Sequence, residues 1–157
     1  MSRLSRVAAA ALAVLGAGLT PAHGDWLKDP NNQCSVWDWG QPAHDGVTWL
    51  GPCEDGKASG PGVLQFYRKK LQGDRYEGAI EVGLRNGNGT LVATDGTRYD
   101  GQWLKGRRHG PGTWRNLDGD IYDGGWVDGL PEGRGTWVGA AGDRYEGNWK
   151  AGKNHGQ

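Results

Sequence analysis

The 157-residue sequence has no excess of charge of either sign. It contains 18 Lys and Arg residues against 18 Asp and Glu residues. Nucleic-acid-binding proteins usually carry a basic patch, and attraction to anionic lipid requires clustered lysine and arginine. The charge balance therefore excludes nucleic acid as an expected partner and argues against strong electrostatic attachment to a membrane.

The sequence also lacks an apolar run long enough to span a bilayer, which needs about 20 residues. Its longest uncharged, alanine-rich run, residues 7–19, follows Arg3 and Arg6 and precedes small residues ending at Gly24. This order is typical of a secretory leader. We predict a signal peptide at residues 1–24, cleaved after Gly24, and a periplasmic or secreted mature chain. An uncleaved membrane anchor is the alternative.

Cysteine is scarce, since Cys34 and Cys53 are the only two. In an exported chain an even pair indicates a disulfide, and a metal site would need more ligands. Closing a loop of this size stabilises a fold by about 3 kcal/mol. We predict a Cys34–Cys53 disulfide that holds an N-terminal cap segment, residues 25–46.

A recognisable catalytic constellation is missing as well. No serine or cysteine has the local sequence of a nucleophile, and His44-Asp45-Gly46 resembles a turn. His109 and His155 occupy equivalent turn positions that we expect about 20 Å apart, too far for a shared metal. We expect no catalysis, no metal and no cofactor.

What the sequence does contain is a repeat. Tyrosine followed by an acidic residue and glycine returns every 23 residues, at Tyr76, Tyr99, Tyr122 and Tyr145. A fixed period in this range is typical of stacked repeats, in which each unit contacts mainly its neighbours.

Each repeat is predicted to be one β-hairpin. Around Tyr99, apolar and polar residues alternate with period 2, which indicates a strand with one apolar face. The stretch from Gly106 to Gly110 is a glycine-bounded turn, and residues 112–115 form a second short strand. A lone hairpin is only marginally stable, so stacking of the units has to supply the stability. The predicted fold class is all-β, an elongated stack of consecutive hairpins in a single domain.

The predicted array spans residues 47–157. It begins with a degenerate repeat at 47–75, in which Trp49 fills the first-strand position and Cys53 a core position. Regular repeats start at 76, 99 and 122. The last unit, 145–157, stops before its second strand can form, and an unpaired strand invites pairing with another chain.

One face of the stack is predicted to be aromatic. Because of the alternation, these side chains share a face, as core or as the lining of a groove. Glycines between them, such as Gly101, are expected to lie under neighbouring rings. A platform for stacking on sugars is the alternative. The face comprises Tyr76, Tyr99, Trp103, Trp114, Tyr122, Trp126, Trp137, Tyr145 and Trp149.

The opposite face is predicted to carry acidic residues, each following a repeat tyrosine. Three of the four have an arginine two residues earlier on the same face. Equivalent positions lie about 10 Å apart, too far for two carboxylates to share a metal. We therefore expect surface ion pairs rather than a ligand site. The acidic residues are Glu77, Asp100, Asp123 and Glu146, and the arginines are Arg75, Arg98 and Arg144.

The units at residues 99–112 and 145–156 resemble MORN (membrane occupation and recognition nexus) repeats. The resemblance covers residues 76–157 strongly and 47–75 weakly, and the exported, cysteine-capped arrangement resembles bacterial members. It implies an elongated, slightly twisted sheet of hairpins. It also implies a non-catalytic role as a scaffold, a protein-association surface or a phospholipid-binding module. Ile80, Trp49 and Cys53 depart from the family's pattern.

Two functions follow as expectations. The leading one is an exported interaction scaffold that binds protein, with self-association through the open strand at residues 145–157. The alternative is a ligand-binding module for cell-wall glycan or phospholipid headgroups.

Overall fold

A computed structural model describes residues 24–39 and 43–156, which form fourteen strands. Within these ranges no helix is long and apolar enough to cross a membrane. The predicted signal peptide lies outside the described residues except for Gly24. The strands are β1 Asp25–Lys28, β2 Ser35–Asp38, β3 Gly46–Leu50, β4 Cys53–Glu54, β5 Lys57–Ala58, β6 Gly60–Arg68, β7 Leu71–Glu81, β8 Leu84–Val92, β9 Arg98–Leu104, β10 Arg107–Arg115, β11 Ile121–Val127, β12 Leu130–Val138, β13 Arg144–Lys150 and β14 Lys153–His155.

Ten strands form one antiparallel sheet in the order β14-β13-β12-β11-β10-β9-β8-β7-β6-β3. Consecutive strands pair, as expected for hairpins joined one after another. The register repeats: Tyr99 lies opposite Leu91 on one side and Trp114 on the other. Tyr122 lies between Trp114 and Trp137 in the same way. The predicted all-β hairpin stack is confirmed.

The hairpin turns differ from the prediction. The turn of the third unit is the two-residue loop Lys105-Gly106, not Gly106 to Gly110, and β10 already begins at Arg107. Both loop residues have positive φ (49° and 83°), the backbone of a type I′ turn, which matches strand twist. A shift of register between Arg108 and Gly112 then absorbs the extra residues as a bulge.

The N-terminal segment forms a small second sheet with the order β1-β2-β5-β4. The predicted disulfide between Cys34 and Cys53 is confirmed. The predicted core position of Cys53 is wrong, since Cys53 is exposed while Cys34 is fully buried. The chain leaves the large sheet after Leu50, so Cys53 pairs within the small sheet, opposite Ala58.

The far end also differs from the prediction. The last unit does form a second strand, since β14 pairs with residues 148–150 of β13. This strand is only three residues long. Within the described ranges no strand pairs with residues 144–147 on that side of β13. Within the described residues, the large sheet therefore has a half-covered edge at β13.

Candidate interaction surface

Seven rings of the aromatic face form a continuous ladder along the sheet. Neighbouring ring centroids are 5.0–5.5 Å apart and the ring planes are nearly perpendicular, at 80–89°. Edge-to-face contacts of this kind are the favoured arrangement of aromatic pairs. The order in space is Tyr76, Trp103, Tyr99, Trp126, Tyr122, Trp149 and Tyr145.

The polar atoms of the ladder are satisfied by the backbone in a repeating way. Each tyrosine hydroxyl donates to the carbonyl three residues later, for example Tyr99 to Gln102 at 2.9 Å. Each ladder tryptophan donates its indole N–H to the carbonyl fourteen residues earlier, for example Trp126 to Gly112 at 3.0 Å. Because buried donors without partners are costly, these bonds fix the ring positions.

The glycines of the repeat make room for the rings, as the sequence predicted. A methyl group added to Gly101 would lie 2.6 Å from the Tyr99 hydroxyl. One added to Gly112 on the neighbouring strand would lie 2.6 Å from Cζ of the same ring. Glycines on both strands of a hairpin therefore form the floor on which each tyrosine lies.

The irregular first unit uses the same plan with a different ring. Trp49 pairs with Leu64, which lies opposite Tyr76 on the next strand. Its indole N–H donates to Pro52 at 2.7 Å, three residues later, as each tyrosine hydroxyl does. Trp49 thus takes the place of the repeat tyrosine in the degenerate unit, both in strand position and in hydrogen bonding.

The ring faces are buried. Eight of the nine predicted aromatic residues are at most 5% exposed, and Tyr145, at the end of the ladder, is partly exposed. Trp114 and Trp137 lie in the core from the second strands of their hairpins. Stacking on a sugar requires an open ring face, which these buried residues do not present.

Two arginines that the sequence analysis missed belong to this face. Arg85 and Arg108 each hold their guanidinium carbon 4.5 Å from a tryptophan ring centroid, that of Trp103 and Trp126 respectively. Burial lowers the pKa of Arg108 to about 10. The 23-residue spacing of the two arginines was a signal for a repeated role. Pro131 takes the next equivalent position.

On the outer face, the predicted surface ion pairs are confirmed. The arginine two residues before the acidic residue contacts it in all three units: Arg75 and Glu77 at 3.0 Å, Arg98 and Asp100 at 2.6 Å, and Arg144 and Glu146 at 2.8 Å. In the unit without an arginine, Asp123 accepts a hydrogen bond from Thr113 at 3.3 Å. Such exposed pairs contribute about 0–1 kcal/mol each.

The histidines take positions that the sequence did not predict. His44 is buried, and its Nδ1 lies 3.0 Å from Asp38 Oδ2 while its ring stacks on Phe66. It lines a shallow cavity of about 250 Å³ beside the hairpin of β6 and β7. His109 and His155 lie in strands β10 and β14 rather than in turns. Among the described residues no cluster of three His, Cys, Asp or Glu could hold a metal.

None of the curated proteins compared with the chain matches it. The MORN repeat family matches residues 54–68, 76–98, 99–121, 122–144 and 145–157, which is more than half of the chain. The matched segments carry the tyrosine–tryptophan ladder and its glycines. The chain therefore belongs to the MORN repeat family.

Proposed function

We propose that this chain is a non-catalytic, exported interaction scaffold that binds protein through its hairpin array. MORN repeats are generally protein- or membrane-interaction modules, and the family is generally non-catalytic. The proposed organisation is a signal peptide at 1–24, a cap at 25–46 and the array at 47–157. The Cys34–Cys53 disulfide supports export, because disulfides persist in oxidising compartments.

The observation that carries the proposal is the half-covered edge of β13. Residues 144–147 pair with β12 on one side and with no described strand on the other. Tyr145, on this segment, is the one ring of the ladder that stays partly exposed. An open strand edge next to an incompletely covered apolar side chain favours pairing with another polypeptide.

The alternation of the strand shows which groups face this edge. Lys150 and Lys153 flank the two-residue turn, so they form its closing hydrogen-bonded pair. Every second residue back along β13 then directs its N–H and C=O to the same side. Glu146 and Arg144 thus present their backbone groups to the open edge. We propose that a second copy of the chain pairs there in antiparallel fashion.

The substitution Glu146→Pro tests this pairing, because it removes the edge-facing N–H, while proline is tolerated on an edge strand. Light scattering after size-exclusion chromatography of the mature chain should show a dimer for the wild type and a monomer for Glu146→Pro. Glu146→Ala is the matched control, since it removes the carboxylate and keeps the N–H. A monomeric wild type at high concentration would contradict the edge pairing.

The alternative function, binding of cell-wall glycan or phospholipid headgroups, has a separate test. The mature chain is mixed with peptidoglycan and sedimented, and in parallel floated with vesicles of mixed neutral and anionic phospholipid. We expect no retention in either assay, because the indole faces of the ladder tryptophans are buried and three of the four outer-face acidic residues are paired with arginine. Saturable retention in one of them would replace the scaffold by that ligand-binding function.

A further inference from the structure

The turns along one edge of the large sheet repeat the same backbone. Lys105-Gly106 has φ values of 49° and 83°, and Asp128-Gly129 has 50° and 87°. The N–H of Gly106 donates to Arg85 O at 2.8 Å, and that of Gly129 donates to Arg108 O at 2.9 Å. The two turns are equivalent in conformation and in their bonds to the preceding repeat.

The arginines complete the equivalence. Arg85 donates to the carbonyl of Gly106 at 3.2 Å, and Arg108 donates to that of Gly129 at 3.1 Å. In both turns the glycine carbonyl therefore has a hydrogen-bond partner, and the Cα side of the glycine is the side on which another group can pack. Whatever packs on one of these turns finds the same backbone shape on the other.

The cap covers two of the turn glycines with tryptophan rings. A methyl group added to Gly83 would lie 2.5 Å from Cζ3 of Trp26, and one added to Gly106 would lie 2.7 Å from Cδ1 of Trp39. At Gly129 no heavy atom of the described residues lies within 4 Å of that position. The described part of the cap thus covers the turns at Gly83 and Gly106 and does not reach the equivalent turn at Gly129.

The residues around Gly129 can be compared with those 23 positions earlier around Gly106. At Gly106, Leu84 lies 3.3 Å from the added methyl position, and the Arg107 guanidinium lies 4.9 Å from the Trp39 centroid. By the same shift Arg107 takes the position of Leu84 and Leu130 takes that of Arg107, but no atom of Arg107 lies within 4 Å of the methyl position at Gly129. The glycine floor is therefore open, and an incoming ring would bring an aromatic face towards the apolar Leu130 and the guanidinium of Arg107, which are favourable neighbours of tryptophan.

We propose that the Gly129 turn is a docking site for an aromatic side chain, tryptophan by preference, of a partner polypeptide. The bound ring continues the row that Trp26 and Trp39 begin. Arg107 then lies between Trp39 and the incoming ring. This site lies on the turn edge of the sheet and is separate from the strand edge of β13.

The chain supplies its own probe for this site. A synthetic peptide with the sequence of residues 35–39, Ser-Val-Trp-Asp-Trp, is titrated into the isotope-labelled mature chain and followed by amide NMR shifts. We expect saturable shifts centred on Gly129 and Leu130. The same peptide with both tryptophans replaced by alanine should cause none.

The blocking variant is Gly129→Asn. Asparagine tolerates the left-handed backbone, and its side chain fills the space that the ring would take. We expect this variant to bind the peptide about tenfold more weakly, the size of one ring–cation contact. Gly142→Asn is the matched control, since Gly142 also has positive φ (90°) and open space but lies in a loop at the opposite ends of the strands. It should bind like the wild type.

Four results would overturn the proposal. The first is the absence of a saturable shift at Gly129, and the second is equal affinity of the wild type and Gly129→Asn for the peptide. The third is a set of shifts confined to Gly106, which would show displacement of the chain's own Trp39. The fourth is a shift at Gly129 that grows with protein concentration in the absence of peptide, which would assign the site to a second copy of the chain.

Discussion

Each tyrosine of the ladder depends on a hydroxyl that bonds forward along its own strand and on glycines beneath its ring. The hydroxyl of Tyr122 donates to Gly125 at 3.0 Å, and its ring lies against Gly124 and Gly135. Any side chain at those glycines would have to displace a fully buried ring. The glycine content of the chain thus follows from close packing of rings on backbone.

Replacement of Gly112 by alanine should therefore destabilise the protein. The new methyl group would lie 2.6 Å from Cζ of Tyr99, which is buried and held by its hydrogen bond to Gln102. We expect a loss of at least about 2 kcal/mol in the free energy of unfolding, measured by urea denaturation. Gly46→Ala is the control, because its nearest neighbour would be 3.6 Å away. Equal effects of the two substitutions would rule out ring packing as the role of Gly112.

Burial also alters the acidity of the ladder tyrosines. Desolvation raises the pKa of Tyr76 and of Tyr99 to about 12, and it raises that of Tyr122 as well. Since the folded-state pKa exceeds the unfolded value of 10.0, these groups contribute stability below pH 10 that is lost as the pH rises towards 12. Ultraviolet titration should show these three tyrosines ionising well above pH 10 in the folded chain and near pH 10 in urea. Full ionisation of these three tyrosines near pH 10 in the folded chain would contradict their burial.

At the scale of one element, the first hairpin shows how the repeat tolerates an exception. Ile80 takes the position at which the other units have Trp103, Trp126 and Trp149, and it is 3% exposed. Trp49, in the tyrosine position, is larger than tyrosine and lies over Gly62. The first unit thus has a larger ring, Trp49, in the tyrosine position, and the next unit has a smaller side chain, Ile80, in the tryptophan position. We therefore expect the two departures from the family's pattern to compensate each other in volume.

This compensation predicts a coupling between the two positions. Ile80→Trp alone should overfill the hairpin and cost about 1–3 kcal/mol. Combined with Trp49→Tyr, which restores the regular pair, the cost should fall, with a favourable coupling energy of about 1 kcal/mol. Thermal or urea unfolding of the two single variants, the double variant and the wild type gives this energy. Additive effects would show that the two positions do not share space.

Over the whole molecule, the two ends of the stack are stabilised differently. The N-terminal end carries a second sheet held by a disulfide, and Trp39 extends its contacts as far as Gly106. At the other end of the described sheet, β14 is three residues long and Tyr145 is partly exposed. In a repeat protein each unit is stabilised mainly by its neighbours, so we expect lower local stability in β13 and β14 than in β7 to β10.

Hydrogen exchange measured by mass spectrometry should show this gradient. Amides of β13 and β14 should exchange faster than those of β7 to β10, because local opening is easiest where a unit has a neighbour on one side only. The measurement uses the Glu146→Pro variant alongside the wild type, so that pairing of copies does not protect β13. Faster exchange at the cap end would contradict the gradient.

Local pattern predicted much of this architecture. The alternation around Tyr99 and the 23-residue spacing were sufficient for strands, hairpins and the shared aromatic face. The turn was misplaced because Gly106 and Gly110 both signal a reversal, and both have positive φ (83° and 66°). Only the pairing of β9 with β10 shows that Gly110 belongs to a bulge. The partial burial of Arg85 and Arg108 was missed because charge alone suggests exposure, whereas the indole rings supply partners for their guanidinium groups.

The sequence by itself determined the hairpin unit, the identity of its ring positions and the disulfide pair, because these depend on short-range periodicity and on two cysteines that can pair only with each other. The tertiary structure decided that the aromatic face is closed rather than open. It also decided that the chain leaves the large sheet after Leu50, and that the cap lies over the glycine turns as far as Gly106. These features depend on contacts between units, which a repeat of local pattern leaves undetermined.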